Sequence, residues 1–108
     1  MKRKNLYNND GTPKRICCYW CKTGELANYI DPITVVFTYA HYMDEEHKHR
    51  AVYMGLSKCG GYYFGSAWQY EFMSRGSRVN FNELPEPCQE AVRDIYKKVW
   101  EENYFIMN

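Results

Sequence analysis

The sequence predicts an α+β domain, in which an antiparallel β-meander of about four strands carries one C-terminal helix on one face. Three observations support this prediction. Residues 33–42 alternate with the period of a strand, the Gly60-Gly61 pair separates two further strand-like segments, and residues 84–103 place apolar side chains at helical spacing. A helix with one apolar stripe must bury it, and the sheet is the only partner that the sequence predicts.

Residues 1–14 are expected to form a flexible basic arm. The segment has no apolar period, and its turn-forming residues are Asn8, Asn9, Asp10, Gly11 and Pro13. Residues 1–15 carry five basic groups against one acidic group. Since a chain of 108 residues has the length of one domain, residues 15–108 are expected to fold as a single α+β unit.

The strand-like segments combine β-branched and aromatic residues with alternation along the chain. They are residues 15–21, 33–42, 50–57 and 62–72, and residues 78–81 are added as a short edge strand. Gly60 and Gly61 supply the positive φ that a tight turn requires, so the segments on either side are expected to pair as a hairpin. The strongly charged connection at residues 43–49 is expected to be solvated.

The helix is expected over residues 84–103. Pro85 and Pro87 suit its first turn, where the missing N–H group has no helical partner to lose. Acidic side chains near this end stabilise the helix, because they interact favourably with the positive end of its dipole. The apolar stripe consists of Cys88, Val92, Ile95 and Val99. Spacings of three and four residues place all of them on one face, which we expect to lie against the sheet.

Three of the five cysteines lie in the segment ICCYWCK, residues 16–22. Cys18 and Cys21 form a C-x-x-C pair, which is half of a zinc knuckle, and His41 or Cys59 would supply further ligands. The alternative is that these cysteines are small core residues, as free cysteines often are. A thioredoxin-like redox pair would need a βαβ context, which a meander does not provide. No cofactor other than this zinc is expected.

Charge and hydropathy exclude several functional classes. The net charge of +1 does not favour a protein that binds polyanions by bulk charge. The basic start MKRKN is followed by the polar run LYNNDGTPK, so no signal peptide is expected. The longest apolar stretch, ITVVFTYAHYM, is about half of a membrane span. We therefore expect a cytoplasmic protein with reduced thiols and no membrane partner.

Aromatic residues make up 18% of the chain, with eleven Tyr, five Phe and three Trp. Rings at this density fill a core or form a contact surface, and Tyr, Trp and Arg are the usual hot-spot residues of protein interfaces. The rings on one face of the segment YYFGSAWQYEF, residues 62–72, are expected to be either core beneath the helix or a stacking surface. The candidate binding residues are Trp20, Tyr42, Tyr53, Tyr63, Arg75, Arg78 and Trp100.

These observations favour a non-enzymatic binding or regulatory protein that docks a protein partner through aromatic surface, with self-association as a further alternative. A second hypothesis is a zinc-stabilised nucleic-acid-binding protein that uses the C-x-x-C pair and the basic arm. A third is a metal-dependent hydrolase that uses His47 and His49 with Asp44 or Glu45, although such charge runs are usually solvated hairpins. The small size, few motifs and Tyr- and Asn-rich composition resemble small accessory or inhibitor proteins of phages, a resemblance that assigns no role to individual residues.

Overall fold

A computed structural model describes residues 6–22, 32–38, 40–41, 50–68, 76–101 and 106–107. The architecture is α+β, as predicted. The strands are β1 (Ile16–Trp20), β2 (Ile33–Phe37), β3 (Ala40–His41), β4 (Ala51–Leu56), β5 (Tyr62–Ala67), β6 (Ser77–Val79) and β7 (Ile106–Met107). One turn of 3-10 helix at Phe81–Glu83 precedes the helix α1 (Glu86–Glu101). No helix among the described residues is both long and apolar enough to cross a membrane.

The main sheet has five antiparallel strands in the order β5-β4-β2-β1-β6. Four of them, β1, β2, β4 and β5, lie side by side in the order in which they follow one another along the chain, so the predicted meander is confirmed. The short strand β6 pairs with the far side of β1 and adds a fifth strand.

The predicted strand 33–42 is divided in the structure. β2 ends at Phe37, and at the next residue both the N–H and the hydroxyl of Thr38 donate to the carbonyl oxygen of Arg15. Beyond this point β3 pairs with β7 in a separate two-stranded sheet. The hydrogen-bonding partner of the described backbone therefore changes between β2 and β3.

The core lies between α1 and one face of the main sheet, which we call the helix face. Alternate residues of β2 and β4 point toward it and are 0% exposed; they are Ile33, Val35, Phe37, Val52, Met54 and Leu56. The predicted stripe of α1 packs against them, and Cys88, Val92, Ile95 and Val99 are at most 3% exposed. Each fully buried aliphatic side chain contributes roughly 1.5–3 kcal/mol, so this layer is the main source of stability.

Residues 6–14, which we call the N-terminal loop, pack on α1. The Leu6 side chain is 5% exposed and belongs to the core. The Tyr96 hydroxyl lies 2.6 Å from the carbonyl oxygens of both Leu6 and Lys14, which share its single proton. The loop therefore differs from the expected flexible arm, because one apolar side chain and one hydroxyl anchor it. Residues 1–5 lie outside the described residues.

Candidate binding surfaces

The face of the main sheet opposite α1, which we call the second face, is buried at its centre. Val36 is 2% exposed, Thr34 4% and Tyr53 8%. Tyr19 of β1 packs against this centre and is half-buried. Among the described residues, the most exposed ring of the second face is Tyr63, which lies on the outer strand β5.

Three exposed rings lie along or directly after β5, and we call them the β5 aromatic edge. They are Tyr62, Tyr63 and Trp68, with 46%, 44% and 43% of their surface exposed. Tyr7 is the only other large apolar side chain of comparable exposure among the described residues. Successive residues of a strand point to opposite faces, so Tyr62 and Tyr63 project on the two sides of the sheet.

The two tyrosines of this edge are each held by a neighbouring ring. Tyr62 meets Phe64 edge-to-face, with ring centroids 5.6 Å apart. Tyr63 meets Tyr53 in the same geometry at 6.2 Å, and its ring covers Gly55 of β4. Edge-to-face pairs of this kind are worth about 0.5–1.5 kcal/mol beyond the area that they bury, so both rings have a preferred orientation.

The third ring of the edge, Trp68, is paired with a cation. The guanidinium carbon of Arg50 lies 5.5 Å from the centroid of the Trp68 ring, within the range of a cation–π contact. All three exposed rings therefore have a described neighbour that restricts their rotamers. Rings that are oriented before binding lose less conformational entropy when a partner arrives.

The predicted binding residues that the structure describes lie on different parts of the sheet. Tyr53 lies beside Tyr63, but it is only 8% exposed. Trp20 packs against the main core, with the Lys22 ammonium 4.3 Å from its ring centroid. Arg78 is exposed on β6, at the opposite edge of the sheet. Outside the described residues lie Tyr42, Arg75 and the side chain of Trp100.

The candidate binding residues named from the sequence omit Tyr62 and Trp68. Alternation places both on the strand face that is expected to be either core beneath the helix or a stacking surface. The core alternative holds for Phe64, which packs against the main core. Tyr62 and Trp68 lie at the two ends of β5, beside the hairpin turn and just after the last strand residue, and both are exposed. The Gly60-Gly61 turn is the sequence signal that marks Tyr62 as a strand end.

The cysteines of the predicted zinc pair lie in different surroundings. Cys18 belongs to the main core and is 3% exposed. Burial, with a smaller contribution from the neighbouring Cys17, raises the pKa of the Cys18 thiol to about 12. Zinc is bound by the thiolate, so this environment matches the core interpretation of Cys18. Cys21 is half-buried just after β1, and Cys59 is exposed in the β4–β5 turn.

In the part of the chain that the structure describes, no three His, Cys, Asp or Glu side chains are grouped so that they could hold a metal ion. The side chain of His41 lies outside this part. The same holds for the residues of the hydrolase hypothesis, which are Asp44, Glu45, His47 and His49. Zinc binding and hydrolysis therefore stay predictions.

Cys88 joins the β4–β5 turn to the first turn of α1. Its thiol donates to the carbonyl oxygen of Ser57 at 3.0 Å, and burial raises the pKa of this thiol. Gly60 packs so closely on the same helical turn that an added Cβ would lie 2.8 Å from the carbonyl oxygen of Pro87. These contacts fix the hairpin that carries Tyr62 and Tyr63 against the helix.

A second candidate site is a cleft of about 460 Å³ between the N-terminal loop and the segment that runs from β6 to the 3-10 turn. We call it the polar cleft. Its lining includes three amides, two carboxylates and one guanidinium, which belong to Asn8, Asn80, Asn82, Asp10, Glu83 and Arg78. Apolar side chains, among them Ile16 and Val79, complete the lining.

Hydrogen bonds fix the wall that the N-terminal loop contributes. Thr12 donates to Oδ1 of Asp10 from its N–H at 3.0 Å and from its hydroxyl at 2.7 Å. The Asn8 amide in turn donates to the Thr12 hydroxyl at 2.9 Å. The bonds from Thr12, of which the side-chain bond is the larger cause, lower the pKa of Asp10. The carboxylate is therefore ionised at neutral pH.

The opposite wall is fixed by the start of the 3-10 turn. The N–H of Asn80 donates to Oε2 of Glu83 at 2.5 Å, which is the carboxylate half of a capping box. Bonds within each segment thus orient Asp10 and Glu83, and the Asn82 side chain is also bonded to the Asp10 carboxylate across the cleft. A ligand of the polar cleft would meet groups that are already oriented.

Comparison with protein-family models, curated proteins and solved structures found no match to this chain. Function is therefore inferred from the β5 aromatic edge and the polar cleft.

Proposed function

We propose that this chain is a non-enzymatic binding and regulatory protein that docks a protein partner through the β5 aromatic edge. The observation that supports it is the set of three rings along or directly after the outer strand β5, Tyr62, Tyr63 and Trp68, which are 43–46% exposed. Each is held by a ring or a cation beside it. Exposed, oriented Tyr and Trp side chains are the usual anchors of protein interfaces.

The charges near this edge favour a protein over a nucleic acid. Proteins that bind single strands place Lys and Arg along the groove, where they track the phosphate backbone. Residues 50–68 contain two basic side chains, Arg50 and Lys58, and Arg50 stacks on Trp68. With a net charge of +1 for the chain, rings rather than cations dominate this surface.

The test compares the double variant Tyr62→Ala/Trp68→Ala with Tyr7→Ala. Tyr7 has 40% of its surface exposed and lies in the N-terminal loop, so it controls for the loss of an exposed tyrosine elsewhere. A photo-crosslinking amino acid at position 63 first identifies the partner in an extract of the native cells. The purified partner is then titrated against each variant, and circular dichroism verifies that each variant is folded.

We expect the double variant to bind the purified partner at least about thirtyfold more weakly, since removing a hot-spot ring costs about 2 kcal/mol or more. Tyr7→Ala should bind within a factor of two or so of the unchanged protein. Equal affinity of all three proteins would overturn the proposal. Crosslinks to nucleic acid alone, or only between copies of this chain, would overturn the assignment of a heterologous protein partner.

A further inference from the structure

The polar cleft lies beside β6, at the opposite edge of the sheet from the β5 aromatic edge. Among the described residues, the charged groups that line it are the carboxylates of Asp10 and Glu83 and the guanidinium of Arg78. Two carboxylates disfavour a phosphate or another anion, because like charges repel. The guanidinium in the same cleft disfavours a fixed cation. This set of charges fits a neutral ligand.

The uncharged groups of the cleft both donate and accept hydrogen bonds. The amides of Asn8, Asn80 and Asn82 each offer a carbonyl oxygen and an NH₂ group. The carboxylates add acceptors and the guanidinium adds donors. A hydroxyl group also donates and accepts at the same oxygen. A ligand with closely spaced hydroxyls therefore matches such a lining better than a ligand that has only donors or only acceptors.

The small amount of exposed aromatic surface in the cleft disfavours a flat heterocycle as its ligand. Among the described residues, Phe81 is the one aromatic side chain that lines it, and this side chain is 7% exposed. The guanidinium carbon of Arg93 lies 5.1 Å from the centroid of the Phe81 ring. A nucleobase would therefore find little open ring surface to stack on. Ile16 and Val79 offer smaller apolar contacts that suit the C–H groups of a puckered ring.

We propose that the polar cleft binds a saccharide of one or two rings. Its volume of about 460 Å³ lies within the roughly 300–1,000 Å³ that is typical of small-ligand sites. The hydroxyls would bond to the amides, the carboxylates and Arg78, and the C–H face of a ring would contact the apolar part of the lining. This site does not depend on the docking function of the β5 aromatic edge.

Nuclear magnetic resonance titration of the full chain with glucose, N-acetylglucosamine, ribose and maltose tests the proposal. Glu83→Gln removes a carboxylate and keeps an acceptor for the Asn80 N–H, so the 3-10 turn should persist. Glu86→Gln is the matched control, because Glu86 is exposed at the start of α1 and does not line the cleft. Inorganic phosphate and arginine amide serve as charged probes.

We expect at least one sugar to cause saturable shifts of the backbone amides of residues 8–12 and 78–83. The apparent dissociation constant should rise about tenfold or more in Glu83→Gln and stay unchanged in Glu86→Gln. The double variant Tyr62→Ala/Trp68→Ala should retain sugar binding, which separates this proposal from the docking function. No saturable shift with any of the four sugars would overturn it. Shifts at these residues with phosphate or arginine amide in place of the sugars would overturn it as well.

Discussion

The ring of Tyr63 on β5 lies over Gly55, its direct cross-strand partner on β4. The reverse arrangement occurs two residue pairs along, beyond the pair Met54–Phe64, where the ring of Tyr53 on β4 lies over Gly65 on β5. Glycine weakens a strand because it has no side chain to pack, but here each glycine makes room for a ring of the neighbouring strand. The two rings then meet edge-to-face, 6.2 Å apart.

Gly55→Ala should therefore destabilise the protein, because the added methyl group would overlap the Tyr63 ring. Overpacking of this kind costs about 1–3 kcal/mol, and the free energy of unfolding in urea measures it. Gly61→Ala is the matched control and should be tolerated, because Gly60 but not Gly61 has the positive φ expected of the turn, and the added Cβ would lie 3.3 Å from Oγ of Ser57. In a Tyr63→Ala background the cost at Gly55 should largely disappear. An undiminished cost there would contradict the ring-over-glycine explanation.

Tyr96 should control both the anchoring of the N-terminal loop and the stability at alkaline pH. Tyr96→Phe removes the hydroxyl that lies 2.6 Å from the carbonyl oxygens of Leu6 and Lys14, and should cost about 1–2 kcal/mol. Hydrogen exchange should become faster in residues 6–14. In β2 and β4, exchange should become faster only by the amount that the loss of global unfolding free energy explains. Unchanged exchange in the loop would show that Leu6 alone anchors it.

The pH dependence of the stability follows from the direction in which the pKa of Tyr96 is shifted in the folded state. Burial raises the pKa of Tyr96 above its ordinary value of 10.0, so the folded state holds the hydroxyl proton more tightly than the unfolded state does. The stabilisation is fully present below the unfolded pKa and is lost as the pH rises through the folded pKa. Urea unfolding between pH 8 and about pH 11 should show a steeper loss of stability for the unchanged protein than for Tyr96→Phe. Parallel curves would contradict this role.

The elements that sequence predicts well are those whose signal is local. The alternation of Val35 and Phe37 identifies a strand, and the spacing of Val92 and Ile95 identifies the buried stripe of a helix. The pairing of β6 with β1 has no local signal, since it joins segments that are far apart in the chain. The polar cleft is hidden for the same reason, because its walls come from the N-terminal loop and from the segment after β6. The polar composition of the loop predicts flexibility, whereas two anchors, the Leu6 side chain and the Tyr96 hydroxyl, hold it on α1.

Ile95→Ala tests the assignment of the α1 stripe to the core. The side chain is 3% exposed and packs in the main core, so its truncation should leave a cavity and cost about 2–4 kcal/mol. Lys98→Ala, at an exposed position of the same helix, should change the free energy of unfolding by no more than about 0.5 kcal/mol. Urea unfolding measures both. A similarly small change for Ile95→Ala would mean that the stripe is an interface and not core.

Cys18 distinguishes a core cysteine from a zinc ligand. Its side chain is 3% exposed among apolar neighbours, so Cys18→Ser should bury a hydroxyl in apolar surroundings and cost about 1–3 kcal/mol, whereas Cys18→Ala should cost less. A zinc ligand would give a different pattern, because a structural site collapses when any one ligand is removed. Serine and alanine at position 18 would then be equally damaging, and Cys21→Ser would destabilise as much as either. Metal analysis of the purified protein accompanies the unfolding measurements. Stoichiometric zinc that is lost in both Cys18→Ser and Cys21→Ser, but kept in Cys88→Ser, would replace the core interpretation with the zinc-stabilised one.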